Sequence, residues 1–549
     1  MESKKLPRLS AKKLPNLAEK KENIYSRLKK MPSLEDKHRK FEIHKNKDIP
    51  NLPDVPKEQI DVKYPLLAPY AYAHIKWDPD KLELIYRLEE PQLELNEQRI
   101  LALLEEGIKE LLNISFLSTS EGETKVEYLE KNIKSLLDEL RIKLTRESYL
   151  KIMYYIYRDF IGLGKIEPLM NDYFIEDIEC NGTGVPIYIV HRKYRNIKTD
   201  ISYPAALDLS NFVEKLAQKT GQYISYATPL LDGALPDGSR VNATYTEDIS
   251  SRGPTFTIRK FTKVPWTPTQ LIQLGTVSAE ILAYLWLLIE HEQNVMIIGG
   301  TGSGKTTMLN GLTFFIQPEA RIVSIEDTRE LNLEHTNWLP SIAREGVGMT
   351  NMMGKKMGEV TLFNLLKESF RQNPDYVIVG EVRGEEAYVL FQGMASGHPS
   401  FGTMHADSVE TMIKRLETPP INLSASLVET MDVVLIMSHV KIGGKSTRRL
   451  REVVEVVSVD DNGTSQTNKP FIWNPKEDSF VPTSQSYVFQ EIVRASGLSY
   501  EQLQLEFERR TRLLRELYKQ EVFEFHKVQQ VVNDYYKNPE GTLKKYGIL

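Results

Sequence analysis

Residues 299–306 read Gly-Gly-Thr-Gly-Ser-Gly-Lys-Thr, which is the spacing of a phosphate-binding loop. Without Cβ atoms at its glycines, the backbone can curl its N–H groups around a phosphate at the positive end of a following helix. Lys305 would then reach the β- and γ-phosphates, and the Thr306 hydroxyl would bind Mg²⁺. The candidate nucleotide-binding residues are Gly299, Gly300, Thr301, Gly302, Ser303, Gly304, Lys305, Thr306 and Thr307.

The flanking residues predict the strand and the helix that such a loop requires. Val295 to Ile298 are apolar and run into the first glycine, and Met308, Leu309 and Leu312 have helical spacing. Four further strand-like runs follow, separated by helical segments: 321–325, 376–379, 400–403 and 432–437. This alternation predicts an α/β sheet that binds ligands at the carboxyl ends of its strands.

Two carboxylates follow predicted strands of this sheet. Glu381 is the first candidate for activating water and Glu326 the second. Glu326 or Asp327 could also hold Mg²⁺ together with Thr306 and water. Many P-loop ATPases have an aspartate directly before the glutamate of the later strand, but this chain has Gly380 there. The competing interpretation is that both carboxylates only cap loops.

Two histidines and two arginines complete the candidate set. His398 and His405 lie in a turn-rich stretch and could sense a γ-phosphate, although a structural role is the alternative, and no third ligand pattern supports zinc. Arg240 follows a turn-rich segment and Arg259 ends a strand. Either could neutralise charge on a γ-phosphate or simply form a surface salt bridge.

Length and composition limit the class of protein. A chain of 549 residues exceeds one core, and its single cysteine, Cys180, excludes an intramolecular disulfide and predicts a buried thiol in a reducing compartment. The longest apolar run, 281–289, is about half the length of a membrane span, and we expect no signal peptide. We expect a cytoplasmic protein that reaches membranes only by docking.

Charge is distributed unevenly along the chain. Residues 1–48 contain fifteen Lys or Arg and seven Asp or Glu, so this segment carries +8 and the rest −13. We predict a basic, flexible tail over 1–60 that either docks on an anionic surface or has no role. The other predicted domains are a mainly helical adaptor with a hairpin (61–160), an α+β domain (161–265) and an ATPase-type α/β domain with a helical tail (266–549).

Five motifs in order resemble the type II/type IV secretion ATPase superfamily. They are the phosphate loop, Ile325-Glu326-Asp327, Val379 to Gly384, Gly397 to Ala406, and the earlier block of 235–241 and 258–261. The residues of these motifs are similar to those of the archaellum motor ATPase and of archaeal pilus-assembly ATPases. The resemblance implies a RecA-like C-terminal domain, a PAS-like N-terminal domain, ATP with Mg²⁺ as cofactors, and a homohexamer.

The same resemblance implies roles and partners. Glu381 and Glu326 would serve hydrolysis, Arg240 and Arg259 would contact the γ-phosphate, and His405 with His398 would act as sensor. The ring would be peripheral at the inner face of the cell membrane, where it would drive a polytopic platform protein, with accessory cytosolic regulators as further partners. The expected function is assembly and rotation of an archaellum, or else assembly of a type IV pilus or a type II secretion-like system without rotation.

Two other classes of protein compete with a filament motor. A nucleic-acid translocase is disfavoured because the chain after residue 48 is acidic, although the basic tail leaves this class possible. A nucleotide-gated scaffold without turnover is disfavoured because Lys305, Thr306 and Glu381 are all present.

Overall fold

The computed structural model describes residues 40–45, 50, 52–53, 55–115, 125–261, 264–344, 346, 357–443, 445–460 and 463–548. The chain divides into two compact units, Met1–Gly233 with Val241–Lys260, and Ala234–Arg240 with Phe261–Leu549. The tail predicted for 1–60 lies mostly outside the described residues. Within the described part of the chain, no helix has both the length and the hydrophobicity needed to cross a lipid bilayer.

The first unit is built on a sheet with ten described strands in the order β1-β2-β3-β4-β7-β6-β5-β10-β9-β8. Its strands are β1 (His44–Lys45), β2 (Asp61–Ala68), β3 (Ala71–Asp78), β4 (Glu83–Glu89), β5 (Ile175–Cys180), β6 (Pro186–His191), β7 (Arg195–Ser202), β8 (Leu230–Ala234), β9 (Arg240–Thr244) and β10 (Thr255–Arg259). The antiparallel pairing of β3 with β4 confirms the predicted hairpin.

This sheet differs from the predicted division of the first 265 residues. The parallel pairing of β4 with β7 carries the sheet across the predicted boundary at residue 160. At its edge β1 pairs with β2, and Phe41 is buried, so these residues of the predicted tail belong to the unit. Backbone hydrogen bonds between strands distant in sequence produce both differences.

The first unit also contains five described α-helices. They are α1 (Leu95–Ser115), α2 (Lys125–Glu139), α3 (Arg146–Ile156), α4 (Glu167–Met170) and α5 (Ala206–Lys219). Thr145 caps α3, because its side chain accepts a hydrogen bond from Ser148 N. The buried Cys180 is a free thiol, as expected.

The second unit is built on a sheet with nine described strands in the order β13-β12-β14-β15-β11-β16-β17-β18-β19. They are β11 (Val295–Gly299), β12 (Ile322–Glu326), β13 (Trp338–Ile342), β14 (Tyr376–Val379), β15 (Ser400–Met404), β16 (Val433–Ile442), β17 (Lys445–Val459), β18 (Ser465–Asn474) and β19 (Ser479–Pro482). The first six strands in this order, β13-β12-β14-β15-β11-β16, pair in parallel. An antiparallel meander of β16, β17, β18 and β19 extends the sheet.

Helices cover both faces of this sheet. They are α6 (Pro268–Gln273), α7 (Ala279–Glu290), α8 (Lys305–Thr313), α9 (Leu362–Ser369), α10 (Glu386–Ala395), α11 (Val409–Glu417), α12 (Ala425–Val428), α13 (Tyr487–Ser496), α14 (Tyr500–Lys519), α15 (Phe525–Lys537) and α16 (Pro539–Lys545). Val295 and Ile297 join the core beneath α7, whereas Met296 and Ile298 join the core on the other face. The predicted fold class, an α/β RecA-like unit beside a mixed α+β unit, is confirmed.

The C-terminal tail is helical and folds onto the second unit. It consists of three helices, α14 to α16, which pack into the core on the α7 face. Arg510 on α14 is buried against the ring of Trp286, 4.9 Å from the ring centroid, and pairs with Glu290. Burial of the long apolar helix α7 requires this cover, and α14 supplies it.

Candidate functional site

The loop after β11 has the backbone shape that its glycines allow. Gly302 and Gly304 have φ angles of +70° and +93°, in the left-handed region that favours glycine. A Cβ at Gly299 would stand 2.4 Å from the carbonyl oxygen of Met437 and 2.5 Å from Ser303 Oγ. The chain therefore passes too close to β16 for any side chain at that position.

Lys305 begins α8 and turns back over this loop. Its Nζ donates hydrogen bonds to the carbonyl oxygens of Gly299 and Gly300, at 3.1 Å each. The residue is 8% exposed, and its burial lowers the pKa of the ammonium group. A phosphate in the loop would offer this cation a stronger partner than two carbonyl groups.

His405 links Lys305 to Glu381. The distance from Lys305 Nζ to His405 Nδ1 is 3.4 Å, and that from His405 Nε2 to Glu381 Oε1 is also 3.4 Å. Burial and the neighbouring Lys305 lower the pKa of His405, which favours a neutral ring that accepts at Nδ1 and carries its proton on Nε2.

Lys305, His405 and Glu381 form a row, which results from the order of three parallel strands. Glu381 follows β14, His405 follows β15 and the phosphate loop follows β11, and the three strands are neighbours in that order. Their carboxyl ends meet at one edge of the sheet, so the three groups line up with the histidine in the middle.

Glu326 ends the next strand, β12, and is almost fully buried. Its Oε1 accepts hydrogen bonds from the backbone N–H groups of Glu330 and Leu331, at 2.9 Å each, while its Oε2 has no hydrogen-bond partner among the described residues. Burial raises the pKa of this carboxyl to about 7. A Cβ at Gly380 would be 3.0 Å from Glu326 Cγ, which accounts for glycine at that position.

The loop fits a nucleotide phosphate by its own geometry. It combines left-handed glycines, an approach that leaves no room for a Cβ, and the buried Ser303, whose hydroxyl has no hydrogen-bond partner in the described chain. Thr306 lies in the first turn of α8, where a metal bound to the phosphates would be reached. The described residues contain no cluster of three or more His, Cys, Asp or Glu side chains able to hold a metal.

His398 is not part of this row. It precedes β15 whereas His405 follows it, so about 20 Å of extended strand separates them. Its ring packs edge-on against Phe370 at 5.0 Å. The two histidines therefore lie at opposite edges of the sheet, and the sensor role of His398 together with His405 stays a prediction.

The two candidate arginines belong to different units. Arg259 ends β10 in the first unit, where its Nε lies 3.2 Å from Asp177 Oδ1. Arg240 begins β9 and is grouped with the second unit. Their predicted contact with a γ-phosphate stays a prediction.

Two residues at the site were not predicted. Arg448 on β17 donates from Nε to the carbonyl oxygen of Gly302 at 3.0 Å, and Arg415 on α11 donates to the carbonyl oxygen of His405. The sequence offered only a basic pair, Arg448-Arg449, after the turn at Gly443.

Comparison with known proteins places the chain in a family. The Type II/IV secretion system protein family matches residues 162–471. The chain belongs to this family. The match confirms the resemblance to the type II/type IV secretion ATPase superfamily drawn from the five motifs, whereas the narrower likeness to the archaellum motor stays a prediction.

Individual proteins differ in how much they share with the chain. Uncharacterized protein MJ0900 of Methanocaldococcus jannaschii is 40% identical over 410 residues, which cover 73% of this chain and 72% of that one. Type IV secretion system protein PtlH of Bordetella pertussis is 28% identical over 260 residues, 41% of this chain and 74% of that one. The crystal structure of the VirB11 ATPase of Brucella suis matches at 24% identity and a TM-score of 0.27, covering 52% and 92%.

Proposed function

We propose that the chain is an ATPase that acts as a homohexameric ring at the inner face of the cell membrane. It powers assembly and rotation of an archaellum, a filament related to type IV pili, through a polytopic platform protein. The alternative is assembly of a type IV pilus, or of a type II secretion-like system, without rotation. Family membership and the type IV secretion relative PtlH support a role in such machinery.

One observation carries the enzymatic part of the proposal. Lys305, His405 and Glu381 stand in a row at one edge of the sheet, with a separation of 3.4 Å at each step. A carboxylate placed beside a phosphate loop can orient and activate the attacking water. Glu381 is partly exposed and can reach water, whereas the buried Glu326 is already engaged by two backbone donors.

His405 then couples phosphate binding to Glu381. When Lys305 turns to the β- and γ-phosphates, its ammonium leaves His405 Nδ1, and the ring is free to reorient toward the phosphate. His405 thereby reports whether the phosphate is present. Arg415 holds the backbone of His405, so the response is confined to the ring.

Mg²⁺ would neutralise charge on the phosphate oxygens. Thr306 would hold it, with Glu326 as the second candidate ligand. Glu326 meets this role only as a carboxylate, and with a pKa of about 7 a nearby cation would favour that ionised form. Arg240 and Arg259 are proposed as cationic contacts to the γ-phosphate.

The test is a chromosomal Glu381→Gln replacement, scored for swimming and for surface filaments. Glu385→Gln changes an exposed carboxylate of the same loop and serves as the matched control, expected to behave as wild type. Loss of swimming and of its filaments with other pili retained supports the archaellum motor. Loss of adhesive pili in swimming cells supports the alternative, and normal filaments of every kind would contradict both.

A further inference from the structure

A ribbon of two strands extends beyond the sheet beside the phosphate loop. Pairing of β11 with β16 ends at Gly299 opposite Met437, and residues 438–442 then pair only with 445–449 of β17 among the described residues. This segment, which we call the basic ribbon, has two lysines and two arginines and no Asp or Glu. It places a positively charged arm next to the loop.

Arg448 is the residue of the basic ribbon that contacts the loop. Its Nε donates to the carbonyl oxygen of Gly302 at 3.0 Å. Its Cδ stands 3.3 Å from the point where a Cβ of Gly304 would be, so its stem lies against that glycine. Arg448 therefore contacts Gly302 and Gly304, two of the loop glycines with positive φ angles.

The adjacent Arg449 serves a different purpose. It is 6% exposed, and its guanidinium makes two parallel hydrogen bonds to Asp478, at 2.7 and 2.8 Å. Neighbouring residues of a strand point to opposite faces. Arg449 therefore anchors the ribbon to the domain while Arg448 faces the loop.

Lys305 and Arg448 hold different parts of the loop. Lys305 bonds to the carbonyls of Gly299 and Gly300, and it must give up these contacts to bind a phosphate. Arg448 bonds to Gly302 on the other limb of the loop, and this contact need not break. When Lys305 turns to a phosphate, Arg448 still restrains the backbone N–H groups that line the site.

We propose that Arg448 is a positioning residue that keeps the phosphate loop in its binding shape through its Nε–H···O=C bond to Gly302. This inference rests on the proposed nucleotide-binding function. Loss of the bond would leave the loop to be ordered at each binding event, which weakens binding and leaves the chemical step nearly unchanged.

Three substitutions separate the hydrogen bond from the charge. Glutamine carries its Nε2 the same number of bonds from Cα as the arginine Nε, so Arg448→Gln keeps a donor and removes the charge. Arg448→Lys keeps the charge but has carbon at that position. Arg448→Ala removes both.

The readouts are the Kd of a fluorescent ADP analogue with Mg²⁺, and KM and kcat for ATP, measured on the full chain. We expect Arg448→Ala and Arg448→Lys to raise Kd and KM about tenfold, the size of one charge-assisted hydrogen bond. Arg448→Gln should stay within about threefold of wild type, and kcat should change by less than about threefold in all three. Arg494→Ala, an exposed arginine of α13, is the control and should change neither constant.

Several outcomes would overturn the inference. Equal affinity of wild type and Arg448→Ala would do so, and so would recovery by lysine without recovery by glutamine, because charge alone would then explain the effect. A fall in kcat with unchanged Kd would assign Arg448 to the chemical step instead. If the wild-type protein bound no nucleotide, the proposed function would fail and this inference with it.

Discussion

Replacing Gly380 by alanine tests the contact between the two strands that carry the candidate carboxylates. The added Cβ would meet Glu326 Cγ at 3.0 Å, Cβ at 3.5 Å and Oε1 at 3.6 Å. Optimal carbon–carbon contacts are about 3.5–4.0 Å. The closest of these contacts is therefore too short by about half an ångström.

The Glu326 side chain cannot move away by that distance without losing other interactions. Its strand, β12, is paired on both sides, and its Oε1 is held by the N–H groups of Glu330 and Leu331. Overpacking of a constrained interior typically costs about 1–3 kcal/mol. We expect Gly380→Ala to lower the free energy of unfolding by about 2 kcal/mol.

A double-mutant cycle with Glu326→Ala isolates this contact. Without Cγ at position 326 the new methyl group has room, so Gly380→Ala should cost little in that background, with a coupling of about 1–2 kcal/mol. The assay is urea unfolding followed by circular dichroism. Gly300→Ala is the matched control, since no atom lies within 4 Å of its added Cβ.

If Gly380→Ala lowered the free energy of unfolding equally with Glu326 and with Ala at position 326, the proposed contact would be refuted. A free energy of unfolding of the single Gly380→Ala variant within about 0.5 kcal/mol of wild type would refute it as well. Gly380→Asp should fare worse than alanine, because it adds a second carboxylate beside one whose pKa is already raised. The aspartate of other P-loop ATPases therefore cannot simply be restored here.

Three further predictions concern the loop, the candidate catalytic carboxylate Glu381 and acid stability. Gly299→Ala should weaken Mg-ADP binding by at least about 100-fold, because the backbone of Met437 leaves no room for its Cβ. Gly300→Ala should bind Mg-ADP within about threefold of wild type. Equal losses of affinity in the two variants, measured by titration with a fluorescent analogue, would contradict this. Glu381→Gln should keep ATP bound while phosphate release slows at least about 100-fold, and a parental rate would remove the water-activating assignment. Burial lowers the pKa of His191 to about 4, so the folded state favours the neutral ring. The free energy of unfolding should therefore be highest above pH 6.5 and fall by about 3 kcal/mol as the pH drops to 4, because the unfolded state binds a proton first. In parallel unfolding curves at several pH values, His191→Asn should lack this loss, and unchanged acid sensitivity would refute it.

Local patterns in the sequence were sufficient for much of this protein. The phosphate loop, the strand before it and the helix after it occupy consecutive residues, so glycine spacing and apolar periodicity predict them without knowledge of the fold. The caps at Thr145 and Thr267 are equally local, since each acts within three residues. Glu326 and Glu381 were found because one ends a recognisable strand and the other follows one by two residues.

Tertiary structure decided what these elements bring together. The neighbour order β14-β15-β11 places His405 between Lys305 and Glu381, and no spacing along the chain encodes that order. The same strand, β15, carries His398 to the opposite edge of the sheet, although the two histidines are close in sequence.

Long-range packing also explains the residues that the sequence left ambiguous. Arg448, Arg449 and Arg510 are all charged residues with no local signal of burial, yet one contacts the phosphate loop, one is paired with Asp478 and one is covered by the core. The part that each plays depends on groups more than twenty residues away. Helical and strand periodicity is set by near neighbours, whereas partners of this kind exist only once the sheet and its covering helices have assembled.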